Sequence, residues 1–174
     1  AADAPPASPD QSDVLPQGTI LRIDGYGDDG DEGPPARVDV SGASPKAVDA
    51  FNRARAVVPP GPDRRAYKGL IDGGRLTTRT GARDHVVNID KTGGRGAAVD
   101  AFHTARVDCG VPHGEVKTDP KTGAMSFKTP AGNYVTLYQS SEEDPTTSYI
   151  DVSAPTKDAK FGRSVQTKIR FKMD

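Results

Sequence analysis

The chain has 174 residues, which is long enough to bury a hydrophobic core, and its hydrophobic content of 34% with 15 prolines and 19 glycines indicates a loop-rich folded protein. No apolar run approaches the roughly 18 residues that a membrane-spanning helix requires, so we expect no membrane span. The single cysteine, Cys109, excludes an internal disulfide and a zinc cluster built on thiolates.

Charge is distributed unevenly along the chain. Residues 1–35 contain eight acidic residues and one arginine, a net charge of −7, so residues 36–174 carry +6 within the total of −1. A basic body is compatible with nucleic-acid binding, because contacts to phosphate use Lys and Arg. The sequence begins without methionine, and we expect either a mature secreted protein or a piece of a longer polypeptide.

The first third of the chain predicts an extended arm, a strand and an acidic loop. Residues 1–17 are rich in Pro, Ala, Ser and Asp without apolar periodicity, which predicts a linker or extended arm. The segment TILRI then predicts a strand. The following DGYGDDGDEGPP does not match the residue pattern of a calcium-binding loop, and we interpret it as a solvated acidic loop.

A unit of one strand and one helix occurs twice. AVDAFNRAR at 47–55 follows the strand-like RVDV, and AVDAFHTAR at 98–106 follows VVNI. Ser44 and Pro45 form a favourable helix start, with the hydroxyl as cap and proline at the first helical position. Alanine and phenylalanine recur on one face of both helices, and the second stripe ends at Cys109, which we therefore expect to be a small buried side chain.

The last third of the chain predicts strands and turns. GEVKTDPKTGAMSFK predicts a hairpin that turns at Pro120 and Gly123, and NYVTLYQ, TSYIDVS and SVQTKIRFK predict three further strands. Apolar and basic residues alternate in the last of them, which predicts one basic face. We therefore predict an α+β fold, with a helix packed on an antiparallel β meander at 75–174, a strand-helix segment at 18–74 and an extended N-terminal arm.

The segments HVVNID, TPAGNYVTLYQSSEEDPTTSYIDVS and QTKIRFK, with the helix and hairpin between them, resemble a known pattern. Residues 75–173 are similar to the C-terminal toxin domains of bacterial polymorphic toxins of the contact-dependent or Rhs type. Such domains often look like the helix-plus-sheet ribonucleases related to barnase, EndoU, colicin nucleases and RelE. The resemblance implies metal-independent RNA cleavage, in which the 2′-hydroxyl attacks the adjacent phosphate.

The resemblance also implies roles for particular side chains. Hydroxyl donors to the phosphate and cations that stabilise its charge correspond to Ser140, Ser141, Thr146, Lys168 and Arg170. The family pattern has an arginine where this chain has His85, so the base is not assigned by the resemblance. His85 and His113 are our two candidates for proton transfer, because imidazole titrates near neutral pH.

Other chemistries match the sequence less well. The histidines at 85, 103 and 113 lack the short spacing of a zinc site, and KTGGRG at 91–96 has the glycines of a phosphate loop in the wrong order. A nucleophilic Cys109 would have to leave the buried face of its helix. We therefore predict no metal and no cofactor.

Two functions stay open at this point. The first is an exported toxin-type domain, delivered from a bacterial cell into a target cell, that cleaves RNA and is neutralised by a cognate immunity protein. The second is a non-catalytic exported protein, structural or ligand-binding, in which the repeated unit is scaffold. The second is favoured if His85, His113 and the basic strand lie on different faces. The sequence gives no indication of oligomeric state.

Overall fold

The structure, a computed structural model, describes residues 14–24, 33–77, 85–139, 145–158 and 160–173. Most of the predicted arm, the acidic stretch at 25–32, Ser140 and Ser141 lie outside these residues. The described helices are α1 (Pro45–Ala56), α2 (Pro62–Ile71), α3 (Gly94–Asp108) and a short 3-10 helix (His113–Glu115). The strands are β1 (Ile20–Ile23), β2 (Ala36–Asp39), β3 (Arg75–Thr77), β4 (Val86–Thr92), β5 (Lys117–Thr118), β6 (Met125–Lys128), β7 (Tyr134–Tyr138), β8 (Ser148–Lys157) and β9 (Ser164–Lys172).

All nine strands belong to one sheet, in the order β1-β2-β3-β4-β9-β8-β7-β6-β5. Six of the eight neighbouring pairs are antiparallel, while the pairs β2/β3 and β4/β9 are parallel. A parallel pair requires a crossover connection. The first crossover contains α1 and α2, and the second contains α3 and β5 to β8. Strands from both sides of the predicted boundary between residues 74 and 75 therefore lie in the same sheet.

The three helices pack on one face of the sheet. α3 contacts β7, β8, β9 and α2. The Tyr67 hydroxyl of α2 lies 2.8 Å from Thr167 Oγ1 of β9. Val58, just after α1, lines a small cavity with Tyr67, Val135 and Val152, which places the end of α1 on the same side. None of the helices in the described ranges has the length and apolar character needed to cross a membrane.

Strand register divides the sheet into an apolar and a polar face. One aligned row lies under the helices and consists of Leu76, Ile89, Ile169, Ile150, Leu137 and Met125. The next row, one residue along each strand, is here called the polar row and consists of Thr77, Asn88, Lys168, Asp151, Thr136, Ser126 and Lys117. Because side chains alternate between faces, the register that buries the first row places the polar row on the face opposite α1, α2 and α3.

The structure confirms the α+β composition and both copies of the strand-helix unit. Ser44 Oγ accepts a hydrogen bond from the Ala47 amide at 3.2 Å, and Pro45 occupies the first turn of α1. Phe51 and Phe102, which are equivalent in the two copies, are both completely buried. The shared sequence pattern therefore reflects a shared position, with each helix burying one phenylalanine against the sheet.

The predicted hairpin and the predicted alternation in the last strand are also confirmed. β5 pairs with β6, and Gly123 between them has a φ of 76°, a left-handed conformation that glycine adopts without a steric penalty. Alternate residues of β9 are buried, from Val165 to Phe171. The intervening Lys168 and Arg170 are only partly buried on the opposite face.

α2 was not predicted from the sequence. Its first turn is anchored by Asp63, a buried carboxylate that accepts hydrogen bonds from the turn between β6 and β7. The donors are the Thr129 hydroxyl, the Ala131 amide at 3.1 Å and Asn133 Nδ2 at 2.6 Å. These partners lie more than 60 residues away in the chain, so the local sequence carries no trace of them.

Candidate functional site

The polar row places a partly buried carboxyl at the centre of the sheet. Asp151 Oδ2 accepts a hydrogen bond from Gln166 Nε2 at 2.7 Å, and its Oδ1 accepts one from the Tyr138 hydroxyl at 3.3 Å. Burial raises the pKa of the Asp151 carboxyl from 3.8 to about 6, and the positive charge of Lys168 and the two hydrogen bonds only partly oppose this effect. At neutral pH the group is mostly ionised and still basic enough to accept a proton.

Lys168 lies directly across from Asp151, on β9. Its Nζ is 5.5 Å from the centroid of the Tyr149 ring, a distance at which an ammonium and an aromatic face attract each other. The pairing brings one cation next to the carboxyl. A bound phosphate at this position would meet a positive charge and a proton acceptor together.

Arg170 lies two residues further along β9 and is held by Asp90. Its Nε and Nη2 donate to the two carboxylate oxygens of Asp90, at 3.1 and 2.9 Å. This hydrogen-bonded pair raises the pKa of the Arg170 guanidinium, as does the nearby Tyr149. A bidentate arrangement fixes the guanidinium plane. One edge of Arg170 is therefore already occupied, and the side chain is suited to hold the site in place.

Two tyrosines border the carboxyl. Tyr138 on β7 and Tyr149 on β8 are neighbours in the sheet, and their rings stack with centroids 5.3 Å apart and an angle of 13° between planes. Tyr149 is buried, with 4% of its surface exposed. It therefore forms a wall of the site and offers no free ring face for a ligand to stack on.

His85 lies at the edge of this region. It immediately precedes β4, and its backbone carbonyl accepts a hydrogen bond from the Gln166 amide at 2.9 Å. The Gln166 side chain in turn donates to Asp151. Gln166 thus connects the backbone of His85 to the Asp151 carboxyl. The predicted role of His85 in proton transfer stays a prediction.

His113 lies on the other side of the sheet. Its ring stacks on His103 of α3, with centroids 6.0 Å apart, and the neighbouring Phe102 packs edge-on against Phe127 in the core. Asp151 and the basic residues of β9 face away from the helices. The structure therefore does not bring His113 together with the predicted cations, and this separation is the arrangement that favours the non-catalytic alternative.

Thr146 is also distant from the carboxyl. Its backbone carbonyl accepts a hydrogen bond from the Arg95 amide at 3.1 Å, in the first turn of α3. It lies in the turn before β8, which begins at Ser148, whereas Asp151 is the fourth residue of that strand, roughly 10 Å from its start at the usual rise of a strand. Ser140 and Ser141 lie outside the described residues, so their predicted contacts with phosphate stay predictions.

Two other chemistries can be compared directly with the structure. Burial raises the pKa of the Cys109 thiol to about 12, which keeps it protonated, and the residue is a small buried side chain as predicted. Within the described ranges, no three His, Cys, Asp or Glu side chains are grouped closely enough to hold a metal ion.

Asp151, Tyr138 and Gln166 were not predicted as site residues from the sequence. Asp151 occupies a polar position of an alternating strand, where a charged residue is ordinary. The pattern TSYIDVS contains the one usable indication, an acidic residue between apolar positions on a strand predicted to neighbour the basic strand.

Comparisons with protein families, with curated proteins and with solved structures found no match to this chain. The functional interpretation therefore depends on the geometry of the polar row and on the resemblance described above.

Proposed function

We propose that the polar row is the active site of a metal-independent RNA endonuclease of the toxin type. The observation that carries the proposal is Asp151, a carboxyl whose pKa is raised to about 6 and which lies beside Lys168 on the face of the sheet opposite α1, α2 and α3. Asp151 takes the role of base that the sequence analysis gave to His113 or His85. A pKa near the working pH is what a general base requires.

The reaction in this proposal is a transfer within the RNA strand. The Asp151 carboxylate takes the proton of a 2′-hydroxyl, whose oxygen forms a bond to the adjacent phosphorus. The bond from phosphorus to the 5′-oxygen breaks, and the Lys168 ammonium donates a proton to that leaving oxygen. The products are a 2′,3′-cyclic phosphate and a 5′-hydroxyl, and Lys168 also stabilises the negative charge of the transition state.

The wider toxin assignment belongs to the same proposal. It comprises a helix packed on an antiparallel meander as in toxin-type ribonucleases, delivery into a target cell, and an immunity protein as partner. The resemblance of residues 75–173 supports it. An acidic immunity protein that covers the basic strand would block the polar row directly, because opposite charges favour such an interface.

The test is incubation of the purified protein with total RNA in the presence of a chelator. We expect discrete cleavage by the wild type, a loss of 100-fold or more for Asp151→Asn on the scale typical of a lost general base, and full activity for the exposed Asp100→Asn of α3. His113→Ala should keep full activity, while His85→Ala tests the second candidate for proton transfer. An oligonucleotide that the wild type cleaves should resist cleavage when the nucleotide on the 5′ side of the scissile phosphate is replaced by one without a 2′-hydroxyl.

The second candidate is the non-catalytic ligand-binding protein. The observation that favours it is the placement of His113 and the basic strand on opposite sides of the sheet, together with the engagement of Arg170 by Asp90. Absence of cleavage of any RNA at micromolar protein would overturn the nuclease proposal and leave this one.

A further inference from the structure

A groove at the β5 and β6 end of the sheet shares the face of the polar row. Its lining includes Glu115, Lys117, Ser126, Lys128 and Tyr134, and its volume is about 460 Å³, within the range of small-molecule sites. Lys117 and Ser126 are themselves members of the polar row, which continues through Thr136 to Asp151. The groove is thus the continuation of the candidate active site toward the edge of the sheet.

The groove contains the exposed aromatic ring that the active site lacks. Tyr134 is 50% exposed, whereas Tyr149 is buried. The Lys128 ammonium lies 5.9 Å from the centroid of the Tyr134 ring, and Lys117 lies on the neighbouring edge strand. Proteins bind single-stranded nucleic acids with this combination of an exposed ring and flanking lysines, because bases stack on the ring while ammonium groups contact phosphates.

We propose that this groove is a subsite for one unpaired nucleotide of single-stranded RNA, next to the scissile phosphate. Its base stacks on Tyr134, and Lys117 and Lys128 contact its phosphate. Glu115 repels phosphate and accepts hydrogen bonds from amino groups of the base, so it directs the base inward. The Lys128 side chain is long and flexible, so when RNA binds its ammonium leaves the face of the Tyr134 ring and contacts a phosphate oxygen instead.

The spacing fits this arrangement. Tyr134 is one strand and two residues from Asp151 in the sheet, roughly 8 Å at the usual strand spacing and rise. A continuous RNA strand can therefore touch both groups. A base in a duplex has no free face for Tyr134, so the subsite selects unpaired RNA. This inference rests on the proposed RNA cleavage, because it names the form of RNA that the same site accepts.

Binding can be measured apart from cleavage with a fluorescent single-stranded RNA in which every 2′-hydroxyl is methylated. We expect Tyr134→Leu to weaken binding by about 10-fold, on the scale of one lost stacking contact, and Tyr134→Phe to retain wild-type affinity. Lys117→Gln combined with Lys128→Gln should weaken binding and reduce its salt dependence. The matched control is Lys160→Gln, because Lys160 also lies over a ring, that of Phe161, but contacts Asp49 of α1 on the helix side.

The outcomes separate this proposal from the preceding one. Unchanged binding by Tyr134→Leu, with circular dichroism that shows a folded protein, overturns the subsite even if Asp151→Asn abolishes cleavage. If Tyr134→Leu weakens binding of the single strand and of its duplex equally, the subsite is also overturned, because stacking on an unpaired base cannot explain such a loss. Binding that depends on Tyr134 in a protein that cleaves no RNA supports the subsite and overturns the nuclease.

Discussion

Replacing Asp151 by Asn should make the protein more stable at neutral pH while it abolishes the proposed cleavage of RNA. The pKa of this carboxyl is about 6 in the folded protein, above its ordinary value of 3.8. The unfolded chain therefore releases the proton at lower pH than the folded chain does. The stability that the Asp151 carboxyl contributes is fully present below about pH 4, where it is protonated in both states, and is lost as pH rises through about 6.

The size of the effect follows from the two pKa values. The difference between 3.8 and about 6 corresponds to about 3 kcal/mol of lost stability above pH 7. Asn carries no charge and avoids this loss, but it gives up one acceptor oxygen for Tyr138 or Gln166, which costs about 1 kcal/mol. We expect Asp151→Asn to be about 2 kcal/mol more stable than wild type at pH 7.5 and slightly less stable at pH 4.

Urea unfolding followed by circular dichroism at pH 4, 5, 6 and 7.5 measures this difference, with Asp100→Asn as the control for loss of an exposed carboxylate. A stability difference between wild type and Asp151→Asn that does not change with pH would refute the raised pKa. A variant that is more stable at pH 7.5 and still cleaves RNA would refute the catalytic role and leave the linkage argument intact.

Three further predictions concern the framework that holds the site. Asp63→Ala should lower the free energy of unfolding by at least about 3 kcal/mol, because it leaves buried donors of the β6–β7 turn without an acceptor, whereas Asp100→Ala should change it by less than about 0.5 kcal/mol in the same denaturant titration. Cys109 should resist a thiol reagent at pH 8 in the native protein and react fully in denaturant, and rapid native labelling would contradict its burial. Phe102→Ala should cost about 3 to 5 kcal/mol, while Val107→Ala on the exposed side of α3 should cost about 0.5 kcal/mol or less, measured by thermal or urea unfolding.

Features that depend on neighbouring residues were predictable from the sequence. The Ser44 cap, the Gly123 turn and the alternation along β9 are each determined within a few residues. α2 carries local signals of the same kind, and they were missed. Proline stands at the start of the helix, Asp63 lies in its first turn, and its buried residues recur at spacings of three and four, as in α1. The local sequence does not show the partners of Asp63, which belong to a turn between two distant strands.

The candidate site depends on which strands are neighbours, and this cannot be read from one segment. The basic face of β9 was predicted, but its partner β4 is about 80 residues earlier in the chain, as the contact between Asp90 and Arg170 shows. The raised pKa of Asp151 arises from burial among side chains of β7 and β9 as well as its own strand. Only the assembled sheet brings these groups together.

The choice between histidine and carboxylate shows why the expected base differs from the proposed one. Imidazole titrates near neutral pH without help, so a sequence argument favours it, whereas a carboxyl reaches the same range only through burial. Such burial lowers stability, and the rest of the polar row shows that the fold does not need it. Thr136 and Ser126 on β7 and β6, and the buried Asn88 beyond Lys168, are polar side chains of the same row that carry no charge. A carboxyl that lowers stability by about 3 kcal/mol at neutral pH, even with Lys168 directly across from it, is a group for which we propose a role in proton transfer.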